Sequence, residues 1–149
     1  MRLKQNGIIV AVWLLLATCS ATAGAEDSVD AAMKRLAAIR VFAFGPAGLG
    51  GGTSQGELDF RTIAALPQEH ALPLFLTLYS IGNTQAKSYA LIGIRRISPS
   101  KFNEIYRSLS ASEEEVTTER GCMVGSEKLS TIARQIQKDP ENLKFFRAN

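Results

Sequence analysis

One histidine and two cysteines are the chain's whole stock of imidazole and thiol, which narrows its chemistry at once. A Ser-His-Asp triad would have to use His70, and no GxSxG nucleophile elbow occurs in the sequence. Cys122 with His70 would make a thiol–imidazole pair, the basis of an alternative reading as a small periplasmic hydrolase or thiol enzyme. Their spacing gives that pair no support. Cysteine is among the most buried residue types, so Cys122 is expected in the core, and His70, beside Glu69 after Pro67, is expected at a solvent-facing helix start. Metal sites usually draw on several His or Cys ligands, which are absent. Glu113, Glu114, Glu115 and Glu119 read as a solvated acidic face rather than a cation site. The sequence therefore assigns no catalytic residue, no metal ligand and no cofactor.

The other chemically suggestive stretch is Val41–Glu57, VFAFGPAGLGGGTSQGE, which holds six glycines. Glycine loops that cradle phosphates have stricter requirements. In a P-loop the lysine of GxxxxGK(S/T) binds the β- and γ-phosphates, and counting from Gly45 and Gly50 that place falls to Gly51. The dinucleotide fingerprint GxGxxG fails as well, because its sixth position is Thr53 from Gly48 and Gln55 from Gly50. What the stretch does specify is a helix start. Ser54 followed by Glu57 has the spacing of a capping box, with the Ser oxygen taking the Glu57 amide and the Glu reaching back to the Ser54 amide. Free amides at such a start can also hold an anion.

Residues 1–25 read as an export signal. Arg2 and Lys4 precede the apolar run Ile8–Ala17, and Ala21-Thr22-Ala23 or Ala23-Gly24-Ala25 offers a peptidase site. The run is shorter than the ~20 residues needed to span a bilayer. Cleavage near Ala25 is the expectation, giving a periplasmic or secreted protein. The alternative is lipidation at Cys19 within Leu16-Ala17-Thr18-Cys19, which would tether the chain to the outer membrane. Thr18 stands there in place of the usual small Gly, Ala or Ser. Cleavage changes the charge. The full chain carries 17 Lys+Arg against 14 Asp+Glu; losing Arg2 and Lys4 leaves 15 against 14, a net of +1. With no basic patch interleaved with aromatics, nucleic acid is excluded as an expected partner. Cys122 would then stand without an intramolecular disulfide partner, so one hydrophobic core must stabilise the domain, and the mature chain is long enough for it.

The elements that must position these residues are mostly helical. Val29, Ala32, Met33, Leu36 and Ile39 recur at threes and fours and predict a helix over 27–40, capped by Asp27 or Ser28. Val41–Phe44 either extends it or forms a short strand. Helices are predicted over 58–66 with Phe60, Ile63 and Ala64 inward, ended by Pro67, and over 69–81 on the stripe Leu72, Phe75, Leu76, Tyr79. Gly82-Asn83 stops that helix, and Thr84 opens another to Ile97. Ser98-Pro99 restarts the chain with Ser as cap and Pro at the first helical position. The stripe Phe102, Ile105, Tyr106, Leu109 follows. Val116-Thr117-Thr118 is β-prone, and Gly121–Gly125 is a second extended candidate expected to pair with Val41–Phe44. Ser126 is expected to cap a last helix bearing Leu129, Ile132, Ala133 and Ile136, stopped by Asp139-Pro140. Residues 141–149 read as a loosely held tail.

The fold expected is thus mainly α, a small helical bundle or a short α-solenoid, with at most two short strands. Residues 26–140 form its single domain around the glycine-rich loop 45–56. The segment AKSYALIGIRRISPSKF resembles HEAT-type helical repeats, which implies stacked antiparallel helix pairs over about 57–110. The pattern FGxxGxxGxTSxGE, followed by a YALxGI helix and a GCxV segment, resembles a group of uncharacterised bacterial exported or envelope proteins. Phe44, Gly45, Gly48, Thr53, Ser54, Gly56, Glu57, Tyr89, Gly93, Gly121 and Cys122 carry that likeness, and no activity is implied by it. The functional expectation is a non-enzymatic exported module that binds another protein, in an immunity, inhibitor or accessory role. Its contact residues are expected among Gly45, Gly48, Thr53, Ser54 and Glu57 in the loop, and Arg95 and Arg96 on a helix surface. The membrane enters only through lipidated Cys19.

Overall fold

The computed structural model describes residues 20–139, and side chains from residue 28 onward. Residues 1–19 of the expected export signal, Cys19 included, and the expected tail 141–149 lie outside the described residues. Within them the chain is mainly α-helical. Six helices run α1 (Ser20–Ala37), α2 (Gln55–Ala64), α3 (Gln68–Ile81), α4 (Thr84–Ile97), α5 (Pro99–Leu109) and α6 (Leu129–Lys138). Two antiparallel hairpins complete the fold, β1 (Pro46–Ala47) with β2 (Gly52–Thr53), and β3 (Glu115–Arg120) with β4 (Met123–Lys128). These four strands exceed the two expected.

Helix α4 is apolar on nearly every side, as a buried helix must be. Ala86, Tyr89, Ala90, Leu91, Ile92 and Ile94 are all fully buried. It touches each of the other five helices and β3. In a solenoid each repeat contacts only its neighbours, so this arrangement is a bundle wrapped around one central helix. Gly93 explains the tightest contact: a Cβ there would stand 2.4 Å from the Phe75 ring of α3. Asn83 caps α4 by accepting the Ala86 amide at 2.9 Å, and its Nδ2 donates to Ile39 O at 2.6 Å, which ties the end of the first helical segment to the core.

Several boundaries differ from the sequence reading. Helix α1 already includes Ser20, the first described residue, so neither Asp27 nor Ser28 is its cap. It closes at Ala37 through short i→i+3 bonds from Ala38 and Ile39 rather than running to Arg40. Ala64 is exposed, since the inward arc of α2 passes through Glu57, Phe60 and Ile63 and the helix ends there. Pro73 lies inside α3 but on its exposed side, where the carbonyl it leaves unpaired can reach water. Ser98 precedes Pro99 at the start of α5 as expected, yet its side chain makes no capping bond. Ser126 does not cap α6. It belongs to β4, its hydroxyl donates to Glu115 Oε2 at 3.0 Å, and Lys128 occupies the cap position. The expected α6 stripe of Leu129, Ile132, Ala133 and Ile136 is wholly buried.

The strand pairing also differs. Gly121–Gly125 does not pair with Val41–Phe44; it folds back on β3 across the two-residue turn Gly121-Cys122, where Gly121 takes φ 56°. Val41–Phe44 instead lies along the other side of β3, in parallel, with the Phe42 amide donating to Thr117 O at 2.8 Å and the Glu119 amide to Phe42 O at 2.9 Å. Strand β3 is therefore the middle of a small layer, with β4 on its outer side.

Candidate functional site

The glycine loop is a built hairpin. Its base hangs on Ala43, whose carbonyl accepts the Tyr89 hydroxyl at 2.7 Å and the Ser54 hydroxyl at 2.7 Å, while its amide donates to the Tyr89 oxygen at 3.1 Å. Tyr89 is fully buried in α4, and Gly56 makes room for it, since a Cβ at Gly56 would stand 2.4 Å from the Tyr89 hydroxyl oxygen. Burial raises the pKa of Tyr89, and nearby Glu57 and Asp59 add to that; the bonds to Ser54 and Ala43 partly offset it. The hydroxyl thus keeps its proton and remains a donor at neutral pH.

Ser54 caps α2 as expected, accepting the Glu57 amide at 3.1 Å. The reciprocal half of the capping box is absent. The Glu57 carboxylate turns to the loop instead, with Oε2 accepting the Gly45 amide at 2.7 Å and Oε1 accepting Arg61 Nη2 at 2.5 Å. A neighbouring amide that points inward at φ 100° captures the carboxylate before it can reach back along its own helix. Both oxygens of this buried side chain are engaged, so Glu57 holds the loop and is not a free base. Asp59, equally buried, is forked by Arg35 Nε and Nη2 at 2.5–3.1 Å and receives Gln55 Nε2 at 3.0 Å. We expect Ser54→Ala to lose about 1 kcal/mol of stability. Its loss should couple non-additively with Glu57→Ala, because both hold the same strand of the loop; chemical denaturation of the two single variants and the double variant checks this.

From this base β1 and β2 rise to a turn over Gly48–Gly51, closed by the Gly51 amide on Gly48 O at 3.2 Å. The turn is fastened to the second hairpin. The Gly48 amide donates to Gly121 O at 2.8 Å and to Glu119 Oε1 at 3.2 Å, and the Gly121 amide donates to Pro46 O at 3.2 Å. Gly48 takes φ 69°, a conformation that costs a side chain about 1–2 kcal/mol. Beside these bonds three large apolar residues face solvent: Leu49 at 97 % exposure, Met123 at 75 % and Val124 at 67 %.

The structure gathers Gly45, Thr53 and Glu57 around one shallow pocket of about 280 Å³, completed by Phe44, Pro46 and Arg61. That is just under the ~300 Å³ at which small-molecule sites begin. Neither Ser54 nor Gly48 lines it; Ser54 caps α2, and Gly48 is in the turn at the hairpin tip. The two arginines part company. Arg96 lies over the Phe44 and Phe60 rings at 5.9 and 5.5 Å, a cation–π arrangement beside the pocket wall. Arg95 packs over Phe102 of α5 at 5.6 Å, away from the loop. Consecutive helical residues point about 100° apart, and here the two guanidiniums are directed to different neighbours.

Cys122 is exposed, not in the core, because the hairpin turn carries it outward. His70 is exposed at the start of α3, and no hydrogen bond joins the two among the described residues. The described residues contain no cluster of three metal-ligating side chains. Sequence reasoning missed Arg61, Leu49, Met123 and Val124. Arg61 was legible as the i+4 partner of Glu57; the apolar residues depend on how the two hairpins meet. Comparison with family models, curated proteins and solved structures finds no match to this chain.

Proposed function

We propose that this chain is an exported, non-enzymatic protein-interaction module of the bacterial cell envelope, in an immunity, inhibitor or accessory role. Its contact surface is the joined end of the two hairpins. The observation that carries this reading is the exposure of Leu49, Met123 and Val124 on either side of the Gly48–Gly121 hydrogen bond. Large apolar side chains on a backbone already fixed lose little additional freedom when a partner covers them. Met123 and Val124 are consecutive in β4 and point to opposite faces of its hairpin, so the proposed surface is the joined end of the two hairpins rather than one flat apolar patch. Export is supported by the charged start, apolar run and small-residue sites of the first 25 residues, and by the likeness to exported proteins. No helix among the described residues is long and apolar enough to cross a membrane.

A photo-crosslinking residue at Leu49 and, separately, at Val124 tests the reading in intact cells. Both positions should yield an adduct of the same mass, while the exposed apolar Ile81 at the end of α3 yields none. Equal labelling at all three positions, or none at Leu49 and Val124, would remove the proposed surface. Because Cys122 is an exposed residue of a turn, Cys122→Ser should change stability by less than about 0.5 kcal/mol. It should leave adduct formation intact; loss of the adduct would point to thiol chemistry instead.

A further inference from the structure

We infer that the outer edge of β4 accepts an extended cationic peptide segment as an added strand; this rests on the binding-module reading and names its partner's chemistry. The two-residue turn closes on the pair Arg120–Met123, so hydrogen-bonded pairs along the ladder alternate from there. Glu119 and Thr117, in the alternate positions, turn their backbone groups away from β4 and use them on Phe42. Their partners Val124 and Ser126 must by the same alternation turn theirs outward on the far side. Among the described residues no backbone group pairs with that side of Val124 or Ser126. Such an edge is a template for another strand unless charge, proline or a bulge blunts it, and Met123–Ser126 has none of these.

Charge selects the occupant. The segment 113–128 holds five glutamates against Arg120 and Lys128, a net of −3. Glu113, Glu114 and Glu127 are matched by Lys128, Lys87 and Arg120. Glu115 and Glu119 have no ion-pair partner among the described residues and share a face of the hairpin with Val124, Ser126 and Lys128, whose ammonium is held by Glu113. An incoming strand with long basic side chains on that face reaches across β4 toward those carboxylates, while its apolar side chains on the other face meet the exposed Met123. The complementarity is local, since the mature chain is close to neutral.

The test uses isotope-labelled protein with two blocked hexapeptides, one alternating Lys and Val and the other Glu and Val. The cationic peptide should slow amide exchange at Val124 and Ser126 by about tenfold at saturation, less so in high salt. The acidic peptide should not. Ser126→Pro removes an outward amide that β3 does not use and should abolish the protection. Should that variant unfold, Glu115→Gln with Glu119→Gln keeps the test decisive by weakening the cationic peptide several-fold. Equal protection by both peptides, protection confined to other residues, or slowing that grows with protein concentration without peptide would overturn the inference, the last by showing a second copy at the edge. If strand addition fails while Leu49 and Val124 still crosslink to a common partner, the binding-module reading stands without it.

Discussion

Gly56→Ala is expected to lower folding stability by about 3 kcal/mol, more than any other single methyl added to the loop base. The new Cβ would meet the Tyr89 hydroxyl and Ile39 Cδ1, each 2.4 Å away. Ile39 can move its terminal methyl, but Tyr89 is locked in α4 and holds Ala43 through two hydrogen bonds. Overpacking costs about 1–3 kcal/mol, and displacing Tyr89 leaves buried backbone groups unpaired for a comparable loss. The gain in helix propensity, at most about 1 kcal/mol, opposes this without cancelling it. Denaturant midpoints at unchanged slope would measure the effect; a loss below about 0.5 kcal/mol would mean that α2 and α4 do not approach so closely.

Tyr89→Phe should cost about 2 kcal/mol near neutral pH and change how stability responds to alkali. The ring stays in its cavity, but the Ala43 amide loses its buried acceptor, which costs about 1–3 kcal/mol. The Ala43 carbonyl keeps Ser54. The pH dependence follows from burial, which raises the Tyr89 pKa above its ordinary value of about 10. A raised pKa means that the folded protein holds the proton more tightly than the unfolded chain does. That stabilisation is complete below about pH 10 and is lost as pH rises through the folded value. The parent protein should therefore lose stability above pH 10 more steeply than Tyr89→Phe does. Tyr79, also raised by burial and by Glu114, leaves a residual slope in both. Parallel alkaline slopes would show that Tyr89 is not buried as described.

Much of the helical frame was legible because its signals are local. Ser54 with the Glu57 amide, Gly82-Asn83 before α4, and Pro99 at the start of α5 each depend on a few neighbouring residues. The stripes of α5 and α6 were equally plain. The site was less legible because its bonds span long sequence separations. Glu57 reaches Gly45 rather than Ser54, and Glu119 reaches Gly48 across 71 positions, a pairing that no local pattern encodes. Cys122 was misplaced for the same reason: burial habit is an average over proteins, whereas the Gly121-Cys122 turn fixes this thiol at the outside. Whether Phe42 continued a helix or paired as a strand was likewise decided by β3, seventy-odd residues further on.

Amide hydrogen exchange across the loop tests the central claim, that the glycine-rich segment is an ordered hairpin fastened to the β3–β4 turn. The Gly45, Gly48 and Gly121 amides donate to Glu57, Gly121 O and Pro46 O, so each should exchange well below the open-chain rate. Gly50, with no such bond at the turn, should exchange near that rate and serve as the internal reference. Open-chain rates at all four glycines would show a free linker, and the joined contact surface built on it would not exist.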